Sequence, residues 1–486
     1  MLLRSVLFVF LTQITLQALT VDLQSAIEIA LENNKNHSIS EFELKTAEAK
    51  YEQAMSARYP QFSLKAVAMR QDEPTMFHIT GASQFPTEIA QSFALASASA
   101  LDEVNALGSG VNTHSNLIAS LNAINSGTLP SMSIPFDINV KAMGRDLYSE
   151  QIDLLYPIYS GGKIEAGIKQ ASLNRLLVSE KMREGDAEIV FNVKKYYYTV
   201  ILMKKLCDQS TKTLEYFQTV EGLTKALYEG GSTRVSRADY LRMVSIVNMF
   251  QSINHEMMTQ SDLTKSALIY ALGLPWNTAI EINDNEFEKK TLSTNMNTIL
   301  EKTYESNVLI AQSNIASKIL DAKIDLVRGD YLPTVVLTGN ARHLGGDESG
   351  YINSENTNSW MVGIGMEWKL FDGFKTTSEE EEARFDRLIL ENKKTLLREG
   401  LALQIKSALL RIENGDKKTK NLYKAINASS ESSKMMIEAY EEDMANLKDV
   451  METLMMDFFI YNEYVKQQYD TFIAIAELEK VSFAHF

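Results

Sequence analysis

One cysteine, Cys207, is all the chain has, so an intrachain disulfide framework and a cysteine-based metal site are both excluded. No cysteine follows the apolar run near the N-terminus, which excludes a lipid anchor at that point. An excess of basic residues is also missing. The 48 Lys and Arg against 63 Asp and Glu leave a net charge of −15, the wrong sign for replacing counterions on nucleic acid. Beyond the first residues no uninterrupted apolar stretch reaches the length of a membrane-spanning helix. The six histidines (His37, His78, His114, His255, His343, His485) are scattered, with no pair at helical metal spacing. No phosphate-binding glycine loop precedes a lysine and hydroxyl residue; Gly161-Gly162-Lys163 reads better as a strand-to-helix turn. The sequence carries no enzyme signature and calls for no cofactor or metal.

What is present begins with a leader. Arg4, the apolar run Val6 to Leu11 and the small Ala18 read as a signal peptide over residues 1–18. The chain is then expected to be exported, without a spanning helix. Cys207, among apolar residues of a helix-like stretch, is expected to be a buried structural thiol.

The most informative feature is a duplication. Asn34 stands 26 residues before Pro60, and Asn307 stands 26 before Pro333. Further on, Tyr156, Ile158, Tyr159, Gly161 and Lys163 align with Trp368, Leu370, Phe371, Gly373 and Lys375. The spacing predicts a helix over Asp22 to Arg58, and its partner over Asn295 to Arg328, each stopped near a proline. Two strands follow in each half. Trp360, Val362, Ile364, Met366, Trp368 and Leu370 are apolar at every second position, as are most of Tyr148, Glu150, Ile152, Leu154, Tyr156 and Ile158. Such alternation fits a lipid-facing strand, and equally a soluble sheet packed on helices. Then Leu397, Leu401, Ile405, Ala408 and Ile412 give a coiled-coil stripe, in helices expected over Glu379 to Tyr440 and Glu165 to Tyr228. A further helix of about forty residues closes each half. The repeats are read as 19–273 and 295–486, joined by a linker at 274–294. An insertion at about 71–144 separates the two strands of the first hairpin; it is expected to be an extension outside the cell over the pore, with simple variable loop filler at least an equal reading.

This order, twice over, resembles the TolC-like outer membrane efflux proteins. The carrying residues are Val21-Asp22-Leu23, Ala26, Asn33-Asn34, Tyr59-Pro60, Leu332-Pro333 and the turns Tyr159-Ser160-Gly161-Gly162-Lys163 and Phe371-Asp372-Gly373-Phe374-Lys375. The resemblance implies an α+β membrane protein. Its long α-helical coiled-coil barrel would continue into a trimeric 12-stranded transmembrane β-barrel, four strands per protomer. It further implies a homotrimer in outer membrane lipid, working with a periplasmic adaptor and an inner-membrane pump in efflux or type I secretion. The remaining alternative is an exported structural coiled-coil surface protein without channel activity; a metal-dependent surface enzyme is a distant third.

The candidate site residues fall in three groups. Gly161, Gly162 and Gly373 are expected at the strand-helix turns. Trp360, Trp368, Tyr148 and Tyr156 are expected at the two aromatic girdles of the membrane band. The resemblance places the narrow periplasmic tip at Tyr228 to Leu241 and Tyr440 to Glu452. There Asp449 matches the gate carboxylate, Glu452 shares its helix face, and Arg237 is read as the repeat equivalent of Asp449, with Arg234 and Asp239 close by. The basic latch residue of the second turn is replaced by Ala445, and the turn glycine is kept as Gly231 but replaced by Asp443. A solvated acidic helix face is an equal reading of Asp449 and Glu452. The methionines at 435, 436, 444, 451, 455 and 456 are expected to pack adaptably, copper handling being the lesser reading.

Overall fold

The structure, a computed structural model, describes residues 19–81, 136–283, 287, 295–347 and 357–483. The expected signal peptide and the alanine-rich middle of the insertion lie outside the described residues. The first half runs β1 (Leu19–Val21), α1 (Leu23–Asn33), α2 (Lys35–Ser56), β2 (Gln61–Arg70), β3 (Thr75–Gly81), β4 (Phe136–Met143), β5 (Asp146–Tyr159), α3 (Lys163–Glu229) and α4 (Arg237–Ala271). The second runs β6 (Ile280–Ile282), α5 (Met296–Ser306), α6 (Val308–Arg328), β7 (Thr334–Gly346), β8 (Asn358–Glu367), α7 (Lys375–Glu441) and α8 (Leu447–Ser482). Both long helices, α3 and α7, have 67 residues. The chain forms two compact units, each drawn from both halves. One takes the described parts of Met1–Glu52, Gly167–Ile324 and Glu379–Phe486; the other takes Gln53–Ala166 and Asp325–Ser378.

In the helical unit the first helix of each half departs from expectation, being two helices and not one. Asn34 and Asn307 break them with extended backbones at φ −67°, ψ 125° and φ −68°, ψ 123°. An asparagine side chain competes with helical hydrogen bonds by bonding backbone itself. Asn34 Oδ1 accepts from the amide of Asn36, and its Nδ2 donates to the Ala271 carbonyl at 2.8 Å, at the end of α4. Asn307 repeats this: Oδ1 accepts from Ile310, and Nδ2 donates to the Val481 carbonyl at 2.7 Å, near the end of α8. Each asparagine ties the break to the closing helix of its own half.

The coiled-coil stripe is buried as expected at Leu401, Ile405, Ala408 and Ile412, with Leu397 half-buried. A second core lies near the helix turns, built on Phe217, Met243, Phe250, Val450, Leu454 and Phe458. Met436, Met451 and Met455 pack into it, whereas Met435, Met444 and Met456 are exposed. Cys207 is half-buried rather than sealed, and desolvation pushes its thiol pKa up. The linker holds an element that periodicity did not reveal: β6 pairs in parallel with β1, Leu19 opposite Ile280 and Val21 opposite Ile282. Three-residue strands are too short to show a period.

The second unit is an antiparallel four-stranded sheet in the order β2-β5-β7-β8. β8 ends at Glu367, so the expected alternation through Trp368 and Leu370 overruns it. Those two residues lead to the turn at Gly373 (φ +69°) and Phe374 (φ +66°), where the chain leaves the sheet for α7. The first half turns at Gly161 and Gly162 (φ +65° and +82°). At Gly161 a Cβ would also stand 2.5 Å from the Gly329 carbonyl oxygen, whereas around Gly373 there is open space. The ends of the insertion pair with each other as the separate hairpin β3–β4. Its base is pinned by Gln71, whose amide donates to the Arg145 carbonyl, and by Asp347, whose carboxylate accepts from the Arg145 amide at 2.8 Å.

Candidate functional site

In a sheet, residues directly opposite one another on paired strands share a face. The register therefore sorts the side chains. One face carries the rows Phe62–Leu154–Gly339–Val362, Leu64–Ile152–Ala341–Trp360 and Tyr156–Leu337–Ile364. The other carries Ser63–Asp153–Asn340–Met361 and Lys65–Gln151–Arg342–Ser359. The apolar face is not packed on helices: Leu64, Ile364 and Trp360 are 73%, 71% and 79% exposed. Burying each would be worth roughly 2 kcal/mol in an apolar medium. On the polar face Lys65 Nζ lies 2.9 Å from Asp153, and Gln151 donates to Asp153 at 2.5 Å. The apolar face turns polar only toward the end bearing the insertion, where Glu150 stands opposite His343, next to Tyr148.

Among the aromatic candidates, Trp360 and Tyr148 lie on this apolar face toward the insertion end, and Tyr156 lies on it nearer the strand-helix turns. Trp368 stands just past β8, and its indole donates to the Tyr331 carbonyl at 3.0 Å. No helix of the described residues is long and apolar enough to cross a membrane.

The tip residues belong to the helical unit. Gly231 and Asp443, with φ +75° and +70°, hold matched places at the two turns. The second turn is the shorter: five residues link α7 to α8, against seven between α3 and α4. This shifts the repeat register, and Arg237 is not the counterpart of Asp449 as the sequence spacing implied. Asp239 is. Each is the third residue of its helix, behind the N-caps Ser236 and Asn446, whose side chains accept from the Asp239 and Asp449 amides. Asp239 returns the bond to the Ser236 amide and hydroxyl, and the hydroxyl above all holds its carboxyl below the usual range. Asp449 accepts from the Asn446 side chain at 2.5 Å; Glu452, one turn on, and Arg237 are exposed.

Arg234 joins the two turns. Its guanidinium pairs with Asp443, donates to the Ala445 carbonyl at 2.5 Å and lies 5.2 Å from the centre of the Tyr440 ring. The Tyr440 hydroxyl, buried, meets Thr224 Oγ1 at 2.9 Å. Sequence spacing put Arg234 near the tip without giving it this role. Its signal was its place in a turn that faces a second turn carrying Asp443. Among the described residues no group of three or more His, Cys, Asp or Glu is arranged to hold a metal ion.

Solved structures share the fold of this chain. A membrane protein from Pseudomonas aeruginosa matches with a TM-score of 0.72 at 15% identity, over 96% of this chain and 92% of its own. The outer-membrane channel OprN matches at 0.70 and 13%, over 94% and 89%. The outer membrane protein VceC from Vibrio cholerae matches at 0.68 and 13%, over 96% of both chains. The chain has the TolC-like outer membrane channel fold. No family model matches the sequence, and no curated protein matches it. The TolC-like fold is thus carried by geometry that these sequences share at about one residue in seven.

Proposed function

We propose that this chain is the outer-membrane exit duct of an efflux system, a homotrimer that passively conducts substrates delivered by an inner-membrane pump through a periplasmic adaptor. One observation carries the reading: the register sorts the sheet into an exposed apolar face and a polar face. That is the pattern of a barrel wall with lipid outside and water within. Edge strands β2 and β8 have one partner each. Unpaired strand edges do not survive in lipid, and closed membrane barrels begin at about eight strands. Other copies of the chain must complete the wall. The count of three rests on the fold's resemblance, as do the adaptor and pump. The conduit requires no chemistry from this chain, and secretion of a protein cargo is a use the same duct would serve.

Nitroxide labels placed singly from Met361 to Met366, in protein reconstituted into liposomes, test this. Labels at Val362, Ile364 and Met366 are expected to meet oxygen dissolved in lipid. Those at Met361, Gly363 and Gly365 are expected to meet a water-soluble relaxant. Equal access of all six to water would reject a membrane wall.

A further inference from the structure

Polar side chains are sealed inside the helical unit beside the core of Phe217 and Phe458. Gln209 and Thr213 of α3, Ser429 and Ser433 of α7 and Asp457 of α8 are each only 1–7% exposed. Two carboxylates of the described residues are buried in this way, Glu479 and Asp457. Glu479 is answered by a cation, with Lys194 Nζ at 2.6 Å. Asp457 is not. Ser429 Oγ donates to its Oδ1 at 2.6 Å and Gln209 Nε2 to its Oδ2 at 3.4 Å, and among the described residues no lysine, arginine or histidine pairs with it. A buried carboxylate is costly unless a charge or strong hydrogen bonds offset it, and a 3.4 Å bond is a weak one. A second observation is independent of the first. Ser433 Oγ is fully buried and has no hydrogen-bond partner among the described residues. Orphans of this kind are rare in protein interiors.

Helix geometry aims these groups at one another. Ser433 stands one turn past Ser429, so both hydroxyls lie on the α7 face that meets Asp457. Side chains lean toward the N-terminus of their own helix. Helices α7 and α8 are joined by a tight turn and run in opposite directions. Ser433 therefore leans back toward the level of Ser429, and Asp457 leans forward toward the level of Ser433. Thr213, one turn past Gln209 on α3, leans as Ser433 does. A lone carboxylate and three hydroxyls converge from three helices.

We propose that Asp457, Ser429, Ser433 and Thr213 hold a monovalent cation such as sodium inside each copy of the chain. One carboxylate balances one positive charge. A divalent ion would leave a buried surplus, and it takes its oxygen ligands mostly from several carboxylates, carbonyls and waters. The ion supplies the charge that Asp457 lacks and gives the Ser433 oxygen a partner. It ties α3, α7 and α8 together within one protomer, so the site depends neither on the number of copies nor on membrane insertion.

The test unfolds the full chain thermally in detergent, in sodium chloride and in choline chloride at equal ionic strength, choline being too large to enter. An Asp449→Ala, Glu452→Ala background removes the exposed entrance carboxylates as competing ion sites. Sodium at roughly ten times its dissociation constant is expected to raise the midpoint by about 1–3 °C. Asp457→Asn keeps the shape and removes the charge. It is expected to abolish the sodium response and to unfold at a higher temperature than its parent in choline. Ser433→Ala is expected to need at least about threefold more sodium for half the shift. Sodium NMR relaxation reads the bound ion directly, and its excess over choline-matched buffer is expected to vanish in Asp457→Asn. Equal midpoints in sodium and choline would overturn the site, leaving Asp457 protonated or bridged by water. A sodium response that survives Asp457→Asn would overturn it as well, assigning the effect to surface ions. Should Asp457→Asn fail to fold, relaxation unchanged by Ser433→Ala would overturn the site in its place.

Discussion

Arg234, in the first tip turn, holds its guanidinium 5.2 Å from the centre of the Tyr440 ring, at the mouth of the second. The same guanidinium pairs with Asp443, so one side chain links the two turns of a protomer. Cation–π contacts contribute about 0.5–2 kcal/mol, and a pair with an exposed carboxylate about 0–1 kcal/mol. Arg234→Ala is expected to raise the closed-state conductance in planar bilayers several-fold, and Arg234→Lys to give a partial increase. Unchanged conductance in both would remove Arg234 from closure.

Asp449 and Glu452 separate two effects at the proposed entrance. Asp449 is tied into the N-cap of α8, so Asp449→Ala should cost about 0.5–1 kcal/mol of helix stability. Glu452 is exposed, so Glu452→Ala should leave thermal unfolding in place. A ring of carboxylates favours cations, and the double substitution is expected to lower cation selectivity. Selectivity unchanged by the double substitution would return both residues to ordinary solvated surface.

Helix and strand periods, the matched halves and the long α3 and α7 were legible because they repeat over many residues. The asparagine breaks were not. Asn34 and Asn307 were visible as repeat landmarks, but their effect depends on carbonyls of Ala271 and Val481 far away in sequence. The tip register was misread for a related reason. A fixed offset carried the alignment past a turn two residues shorter in the second half, where capping and not periodicity marks position. Apolar alternation was readable in β8, but which residues shared its face across four strands required the register.

The strand-helix turns make a graded prediction. Gly161→Ala meets the Gly329 carbonyl as well as a left-handed backbone, whereas Gly373→Ala meets only the backbone. The second should cost about 1 kcal/mol, the first clearly more, with reduced yield of assembled protein. Thermal unfolding of the two variants checks the order, and equal losses would contradict it.

Two carboxylates at helix starts are expected to contribute to the acid sensitivity of the helices. Asp239, held low first by the Ser236 hydroxyl, and Asp372, held low first by the Thr376 hydroxyl, have folded pKa values below their unfolded ones. Their contribution is complete above the ordinary carboxylate pKa and is lost as pH falls through the lowered folded values. Helicity should therefore be flat from about pH 5 to 8 and decline below about pH 4. Asp239→Asn with Asp372→Asn should weaken that acid dependence. An identical acid limb in the double variant would assign it to other groups.

The most direct test of the whole account is single-channel recording of the purified protein in a planar lipid bilayer. Discrete, reproducible conductance steps that enlarge when Arg234 is replaced by alanine are expected. A protein that inserts no channel, or remains fully soluble without detergent, would contradict it.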